Sequence, residues 1–125
     1  MISHLDHLVL TVASIDRACR FYEGVLGMTR MDTVGRPTAV AFGTQKINLH
    51  EVGKEFTPHA ALPRPGTGDL CLITNLTMEE VCKRLVATGV PVELGPVPRN
   101  GAQGAMQSVY IRDPDGNLIE IARYE

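Results

Sequence analysis

The chain has 125 residues, of which 44% are hydrophobic, and its 12 Lys and Arg residues stand against 14 Asp and Glu residues for a formal net charge of -2. A chain of this length can bury one core but not two independent globular domains. No run of Lys and Arg forms the basic surface that a nucleic-acid binder needs, and no apolar stretch is long enough to span a membrane. We therefore expect one small domain whose partners include neither nucleic acid nor membrane.

The amino terminus and the cysteines both bear on the cellular compartment. Residues 1–6 have neither the basic nor the apolar segment of a secretory signal. Cys19, Cys71 and Cys82 form no closely spaced pair, which is typical of reduced thiols and not of a zinc knuckle. The sequence therefore predicts a cytoplasmic protein in which all three thiols are small core side chains.

The first half of the chain begins with a strand pattern and continues with a helix pattern. Residues 6–12 are rich in Leu and Val and predict a buried strand. Ser14 is a suitable N-cap, apolar residues follow it at helical spacing, and Gly27 is a suitable C-terminal stop. Residues 39–42 and 46–52 then alternate as strands do.

The same order of patterns recurs in the second half of the chain. Residues 69–74 predict a strand, Thr77 and Glu80 have the spacing of a capping box, and Gly89 ends the helix that follows. Two later segments alternate like strands on either side of a Pro- and Gly-containing turn, at residues 108–112 and 117–122.

The repeat predicts an α+β fold made of two tandem βαβββ modules. Module one covers residues 1–56, a linker dense in Pro and Gly covers residues 57–68, and module two covers residues 69–125. One module cannot bury the inner face of its sheet alone, whereas two can form a curved sheet around a central cavity with the helices outside. An ordinary α+β sandwich without a cavity is the alternative that these patterns leave open.

Several polar residues stand in strands that are otherwise apolar. Glu120 has apolar neighbours on both sides, and a lone buried carboxylate costs several kcal/mol. The repeat aligns His7 with Asp69, and it aligns either Asn48 or His50 with Glu120. Imidazoles and carboxylates that converge in a partly dry cavity suit a divalent metal. A buried His–Glu ion pair and a metal-free hydrogen-bonded network are the alternatives.

Motifs near both ends of the chain resemble those of a known superfamily. Residues 6–12 and 18–28 resemble the opening of vicinal oxygen chelate proteins, which include glyoxalases, bleomycin resistance proteins and extradiol dioxygenases, and residues 113–121 resemble their closing signature. Residues 48–55 and 95–99 resemble the glyoxalase-domain-containing, virulence-associated branch. The resemblance implies one small-molecule site built from paired modules, and a homodimer.

The resemblance also implies metal ligands on the first and last strands of each module. Carried over by position, these are His7 and Glu120, with Asp69 where the superfamily has His or Glu, and with Asn48 or His50 at the fourth place. The cofactor implied is one divalent ion (Mn, Ni, Zn, Mg or Fe(II)). Such an ion polarises two adjacent oxygen atoms of a substrate, while a carboxylate, here Glu120 or a displaced Asp69, moves the proton.

The function expected from this set is that of a metal-dependent lyase or isomerase of the glyoxalase kind. A metal-free, antibiotic-type binding protein is the first alternative, because Asp69 and Asn48 depart from the usual ligands. An extradiol dioxygenase is the weaker alternative, because it needs two His and one carboxylate on Fe(II), and only His50 could supply the second His.

Two further residues are candidates for substrate binding, together with Asn48. Arg99 begins a stretch, residues 99–104, that we expect to be flexible and to act as a lid, with the guanidinium binding an anionic group of the substrate. Tyr110 shares a strand face with Ser108 and is expected to line the cavity. A solvated loop arginine and a wall tyrosine are the alternatives.

Overall fold

A computed structural model describes all 125 residues and divides the chain into two compact units, Met1–Thr67 and Gly68–Glu125. Each unit is a βαβββ module, so the fold predicted from the repeat is confirmed. No helix in the structure is both long and apolar enough to cross a bilayer.

The first unit has a four-stranded mixed sheet with one helix. Its elements are β1 (His7–Val12), α1 (Ile15–Gly24), β2 (Thr29–Met31), β3 (Thr38–Phe42) and β4 (Gln45–Glu51). The strand order is β1-β4-β3-β2, with β1 parallel to β4 and the other pairs antiparallel. Helix α1 packs against β2, β3 and β4. Because side chains alternate along a strand, Ile47 and Leu49 of β4 are fully buried on one face of the sheet, and Asn48 and His50 lie on the other.

The second unit repeats this arrangement. Its elements are β5 (Asp69–Ile73), α2 (Met78–Ala87), β6 (Leu94–Gly101), β7 (Gly104–Arg112) and β8 (Leu118–Tyr124). The strand order is β5-β8-β7-β6, with β5 parallel to β8. Val81 and Leu85 of α2 are buried, as are Val109 and Ile119 of the sheet. The core of each unit therefore lies between its helix and one face of its sheet.

Both predicted helix starts are confirmed. The Ser14 hydroxyl accepts a hydrogen bond from the backbone N–H of Arg17 at 3.2 Å. Thr77 and Glu80 form a complete capping box, in which the hydroxyl oxygen of Thr77 accepts from the Glu80 N–H and the Glu80 carboxylate accepts from the Thr77 N–H. These caps satisfy backbone donors that a helix leaves free in its first turn.

Strands β2 and β6 were not predicted, and the flexible stretch expected at residues 99–104 is instead part of a β-hairpin. Arg99 and Asn100 lie in β6, which forms a regular hairpin with β7 by pairing with Met106 and Ala105. The prolines at positions 96 and 98 made this segment look like a loop. Proline is tolerated there because β6 is an edge strand with one unpaired side.

The closing motif of the second unit has a structural role. The Asp113 carboxylate accepts hydrogen bonds from the backbone N–H of Asp115 and Asn117, both at 2.9 Å, and from the Asn117 amide at 2.7 Å. The side-chain amide oxygen of Asn117 (Oδ1) in turn accepts a hydrogen bond from the backbone N–H of Gly68 at 2.7 Å. Asp113 and Asn117 are both buried, so this network ties the start of β8 to the segment that leads into β5.

Candidate functional site

The strand register shows which positions of the two units correspond. In β4, Asn48 lies two residues beyond the partner of His7 on β1. In β8, Glu120 lies two residues beyond the partner of Asp69 on β5. Asn48 is therefore the counterpart of Glu120, and His50, two residues further along, is not.

His7 and His50 lie on the same face of the β1–β4 pair but far apart along it. The partner of His50 is Thr11, four residues beyond His7, which corresponds to roughly 13 Å along the strands. Imidazole nitrogens bind zinc-like ions at about 2 Å, so two rings standing off the sheet at this separation do not reach one ion. Asn48 lies between them, opposite Val9.

His7 has a side-chain partner that was not predicted from the sequence, the carboxylate of Asp6. Its Nδ1 lies 2.8 Å from a carboxylate oxygen of Asp6, and the hydrogen bond from the imidazole is the main cause that lowers the pKa of Asp6. A carboxylate at Nδ1 sets the tautomer of an imidazole and leaves Nε2 available as a ligand. The only available signal for this contact was the adjacency of Asp6 and His7, because the geometry depends on how the chain enters β1.

The polar side chains of the first unit are buried and partly unsatisfied. Asn48 is 9% exposed and His50 is 5% exposed. Oδ1 of Asn48 and Nδ1 of His50 have no hydrogen-bond partner, and a buried polar atom in this state costs about 1–3 kcal/mol. The His50 ring lies 5.6 Å from the Phe56 ring, and burial lowers the pKa of His50, which favours the neutral imidazole.

The second unit carries a polar row across its sheet, made of Arg99, Tyr110, Glu120 and Cys71. Nε of Arg99 donates to the Tyr110 hydroxyl at 2.9 Å, and the guanidinium carbon lies 5.4 Å from the centroid of the tyrosine ring. Tyr110 is paired with Glu120 on β8, which is paired on its other side with Cys71 on β5. Oε1 of Glu120 is buried and has no hydrogen-bond partner.

The structure thus brings three of the predicted site residues, Arg99, Tyr110 and Glu120, onto neighbouring strands. Asp69 lies on β5 two residues before Cys71 and is exposed. A groove of about 300 Å³ elsewhere in the unit, lined in part by Met78, contains none of the predicted site residues.

The cysteines do not all behave as the sequence analysis predicted. Cys19 is buried, as expected, but Cys71 is exposed, so the prediction of a core thiol is wrong there. Partial desolvation of the thiol and then the neighbouring Glu120 carboxylate raise the pKa of Cys71 to about 11. The exposure of Cys71 could have been predicted from the alternation of β5, which places Cys71 on the same face as Asp69.

The metal ligands expected from the sequence do not form a cluster. No three side chains of His, Cys, Asp or Glu lie close enough together to hold a metal ion. The donors present suit a divalent ion in kind, since His7 offers an imidazole and Glu120 a carboxylate oxygen without a partner. They do not suit it in number within one unit, because His7 belongs to the first unit and Glu120 to the second.

Residues 4–121 match the family model described as the Glyoxalase/Bleomycin resistance protein/Dioxygenase superfamily. The chain is 48% identical over 124 residues to Virulence protein STM3117 of Salmonella typhimurium, covering 99% of this chain and 86% of that protein. It is 46% identical to the glyoxalase domain-containing protein RDO1 of Mycosarcoma maydis, covering 97% of this chain and 68% of that protein. These matches agree with the branch indicated by the motifs.

Solved structures extend the comparison to the fold. An integron cassette protein from the mobile metagenome of V. cholerae superposes with a TM-score of 0.96 at 52% identity, covering 100% of this chain and 98% of the other. A lactoylglutathione lyase from Agrobacterium tumefaciens gives a TM-score of 0.73 at 25% identity, over 98% and 95% of the two chains. TnmS3, an antibiotic binding protein from Streptomyces, gives 0.74 at 27% identity, over 99% and 98%.

Proposed function

Because this chain belongs to the Glyoxalase/Bleomycin resistance protein/Dioxygenase superfamily, we propose that it is a metal-dependent lyase or isomerase of the glyoxalase kind. Its substrate is a small molecule with two adjacent oxygen atoms. The observation that carries this proposal is the polar row of the second unit, in which the unpartnered Oε1 of Glu120 is flanked by Tyr110, which is hydrogen-bonded to Arg99.

The proposed metal ligands are His7 and Glu120, supplemented by Asp69. A divalent ion bound by these residues would polarise the two substrate oxygens and acidify the adjacent C–H. We also propose that the protein is a homodimer.

The side chains of the site have distinct roles in this proposal. Glu120 has two carboxylate oxygens, one to bind the ion and one to move the substrate proton. Arg99 binds an anionic group of the substrate, and its hydrogen bond to Tyr110 holds the guanidinium in place. Asn48 offers an amide oxygen without a partner to a substrate hydroxyl. Asp6 keeps His7 in the tautomer that presents Nε2.

A metal-free binding protein is the second candidate, and two observations favour it. No three potential metal-binding side chains are grouped in the structure. The likeness to the antibiotic binding protein TnmS3 is about as strong as that to the lactoylglutathione lyase. In this case the buried and neutral pair Asn48 and His50 would contact a polar group of the bound compound.

Metal content and Co(II) affinity of the untagged protein test the proposal. We expect about one divalent ion per chain, and a loss of Co(II) affinity of tenfold or more in His7→Ala and in Glu120→Gln, because each removes a proposed ligand. Glu79→Gln is the matched control, since Glu79 lies on the exposed surface of α2 and pairs only with Lys83. Absence of metal after reconstitution with Mn, Ni, Zn and Fe(II) would contradict the enzyme proposal and favour the binding protein.

Two activity measurements separate the reaction classes. A lyase or isomerase of this kind is expected to exchange a substrate proton with deuterated solvent in a 2-oxo compound. Oxygen uptake with catechols in the Fe(II)-loaded protein would instead indicate a dioxygenase. Light scattering tests the assembly, and a monomer would contradict the proposed homodimer.

A further inference from the structure

Ser108 is a fully buried residue of β7 whose hydroxyl oxygen has no hydrogen-bond partner. It lies on the same face of the second sheet as Tyr110, two residues further along β7, and as Glu120, the register partner of Tyr110 on β8. The register partners of Ser108 itself are Ala122 on β8 and Val97 on β6, and both have apolar side chains. An unpaired buried hydroxyl is destabilising, so packing does not account for a serine at this position.

A second unpartnered oxygen atom lies nearby on the same face. Oε1 of Glu120 is also buried and has no hydrogen-bond partner. Because Ser108 pairs with Ala122, two residues beyond Glu120, the serine and the glutamate are diagonal neighbours, which lie about 7–8 Å apart in an antiparallel pair. The Ser108 hydroxyl has no partner at all, so the two side chains do not bond to each other. One small polar group between them would satisfy both oxygen atoms.

The chemistry of the two side chains specifies that group. A serine hydroxyl can donate a hydrogen bond, whereas an ionised carboxylate only accepts. A ligand hydroxyl meets both requirements, because it can accept from Ser108 and donate to Oε1 of Glu120. A ligand carbonyl or carboxylate has no proton to offer to Glu120. The pair therefore favours a ligand with a hydroxyl group at this point.

The hydrogen bond between Arg99 and Tyr110 spans the position of Ser108. Arg99 is the register partner of Met106, and Ser108 lies between Met106 and Tyr110 along the same face of β7. Arg99 is exposed and Tyr110 is partly exposed, so this pair is not held in a core and can be displaced as a unit. Such a displacement uncovers the Ser108 hydroxyl and keeps the guanidinium close to it, where it can bind an anionic group of the same ligand.

We propose that Ser108 is a further substrate-binding residue and that the ligand is a 2-hydroxy carboxylate. The hydroxyl of this ligand lies between Ser108 and Glu120, and its carboxylate is bound by Arg99. Such a compound carries oxygen atoms on two adjacent carbon atoms, as the proposed substrate does. The inference rests on the proposed function, because it takes Glu120 and Arg99 as residues of that site. It assigns no catalytic step to Ser108.

Urea unfolding of Ser108→Ala separates a binding role from a structural one without any ligand. The substitution removes an unpaired buried hydroxyl, so we expect the unfolding midpoint to stay where it is or to move to a higher urea concentration. Ser14→Ala is the matched contrast, because its hydroxyl accepts a hydrogen bond and its midpoint should fall. A fall in the midpoint of Ser108→Ala would show that the hydroxyl has a partner in the fold and would overturn the proposal.

Binding of glycolate and of acetate to the full chain in EDTA, followed by NMR chemical shifts, tests the ligand class. The two anions differ by one hydroxyl group. We expect the unchanged chain to bind glycolate about tenfold more tightly than acetate, as one hydrogen-bonded hydroxyl allows. In Ser108→Ala the two affinities should lie within about twofold of each other, with that for acetate unchanged. Ser14→Ala should keep the preference for glycolate.

Two results of this titration would overturn the proposal. One is the absence of a preference for glycolate in the unchanged chain, including the case in which neither anion binds. The other is a preference that persists in Ser108→Ala. Because EDTA removes divalent ions, the titration does not depend on the proposed metal site. Failure of that site in the metal-content measurement is therefore distinguishable from failure of the role of Ser108.

Discussion

The two units have the same strand order but treat their polar residues differently. In the first unit, Asn48 and His50 are almost fully buried. In the second unit, the counterpart of Asn48 is Glu120, which is only partly buried, and its neighbour Cys71 is exposed. The difference follows the charge of the groups. A neutral amide or imidazole can be buried at moderate cost, whereas an ionised carboxylate needs solvent, a partner or an ion.

The two units therefore repeat the same backbone arrangement, but the surroundings of matched side chains differ. The register assigns Asn48 and Glu120 to the same place in the module, and the surroundings then give them different properties. Substitutions at matched positions of the two units can therefore show which changes in stability depend on the shared backbone and which depend on the surrounding side chains.

The largest effect is expected in the cores, where the two units should behave alike. Ile47 and Ile119 are counterparts, and both are fully buried. Ile47→Ala and Ile119→Ala should each lower the free energy of unfolding by about 2–5 kcal/mol, because each leaves a cavity. Urea unfolding measures this, with the exposed Val34→Ala as a control that should change little. A loss below about 1 kcal/mol in either variant would show that its unit lacks the described core.

Substitutions that change the charge at the two site positions should affect the stability of the two units differently. Asn48→Asp introduces a carboxylate at a position that is 9% exposed, so we expect a loss of roughly 2–4 kcal/mol at pH 7.5 in EDTA. The loss should shrink as the pH falls and the new carboxyl group becomes protonated. Glu120→Gln, at the partly exposed counterpart, should change the stability by less than about 1 kcal/mol. Equal effects in the two variants would contradict the difference in burial.

His50 should make the stability of the protein depend on pH. Its pKa is lowered in the folded protein from an ordinary value of 6.5, mainly by burial, against the opposite effect of Glu55 and together with a smaller effect of His59. Below pH 6.5 the unfolded chain therefore binds a proton that the folded chain does not. The free energy of unfolding should fall from pH 6.5 down to the lowered pKa, by at most about 1.4 kcal/mol per pH unit.

Urea unfolding between pH 7.5 and pH 5 measures this slope. In His50→Gln the part of the slope that begins near pH 6.5 should disappear. If the slope of the unchanged protein persists in the variant, another group is responsible and His50 is not buried as described.

The smallest difference in stability between the two units is expected for substitutions at the N-caps of the helices. Thr77→Ala removes one half of a capping box and should cost about 1–2 kcal/mol, since the Glu80 carboxylate also loses its hydrogen bond from the hydroxyl. Ser14→Ala removes a single, longer hydrogen bond to the Arg17 N–H and should cost about 0.5–1 kcal/mol. Thermal unfolding of the two variants gives the order, and a larger loss for Ser14→Ala would contradict it.

The two modules could be predicted from the sequence, whereas parts of the candidate site could not. Hydrophobic periodicity and the residues of the caps predicted both helices and six of the strands, because these signals are local. The hairpin that carries Arg99 was missed, since prolines in an edge strand look like a loop. The choice between Asn48 and His50 depended on the hydrogen-bond register of β1 with β4, which joins residues about 40 positions apart in the chain.

The burial of single side chains was the other limit. Cys71 and Cys19 are the same residue type, yet one is exposed and the other buried. The exposure of each thiol depends on which face of its strand or helix packs against the rest of the unit. Alternation counted from Asp69 could have placed Cys71 correctly, whereas the only sequence signal for the contact between Asp6 and His7 was that they are adjacent in the chain.

The alternation along β4 and β8 has a consequence for how such a protein can acquire new chemistry over evolutionary time. Ile119 and Ile121 support the fold, while Glu120 between them faces away from that core and is only partly buried. Mutations at this position should therefore reduce the stability of the fold only slightly, so the second unit can acquire side chains that bind a different ligand. At Asn48 a substitution falls on a nearly buried position and costs more stability. The first unit should therefore diverge more slowly than the second.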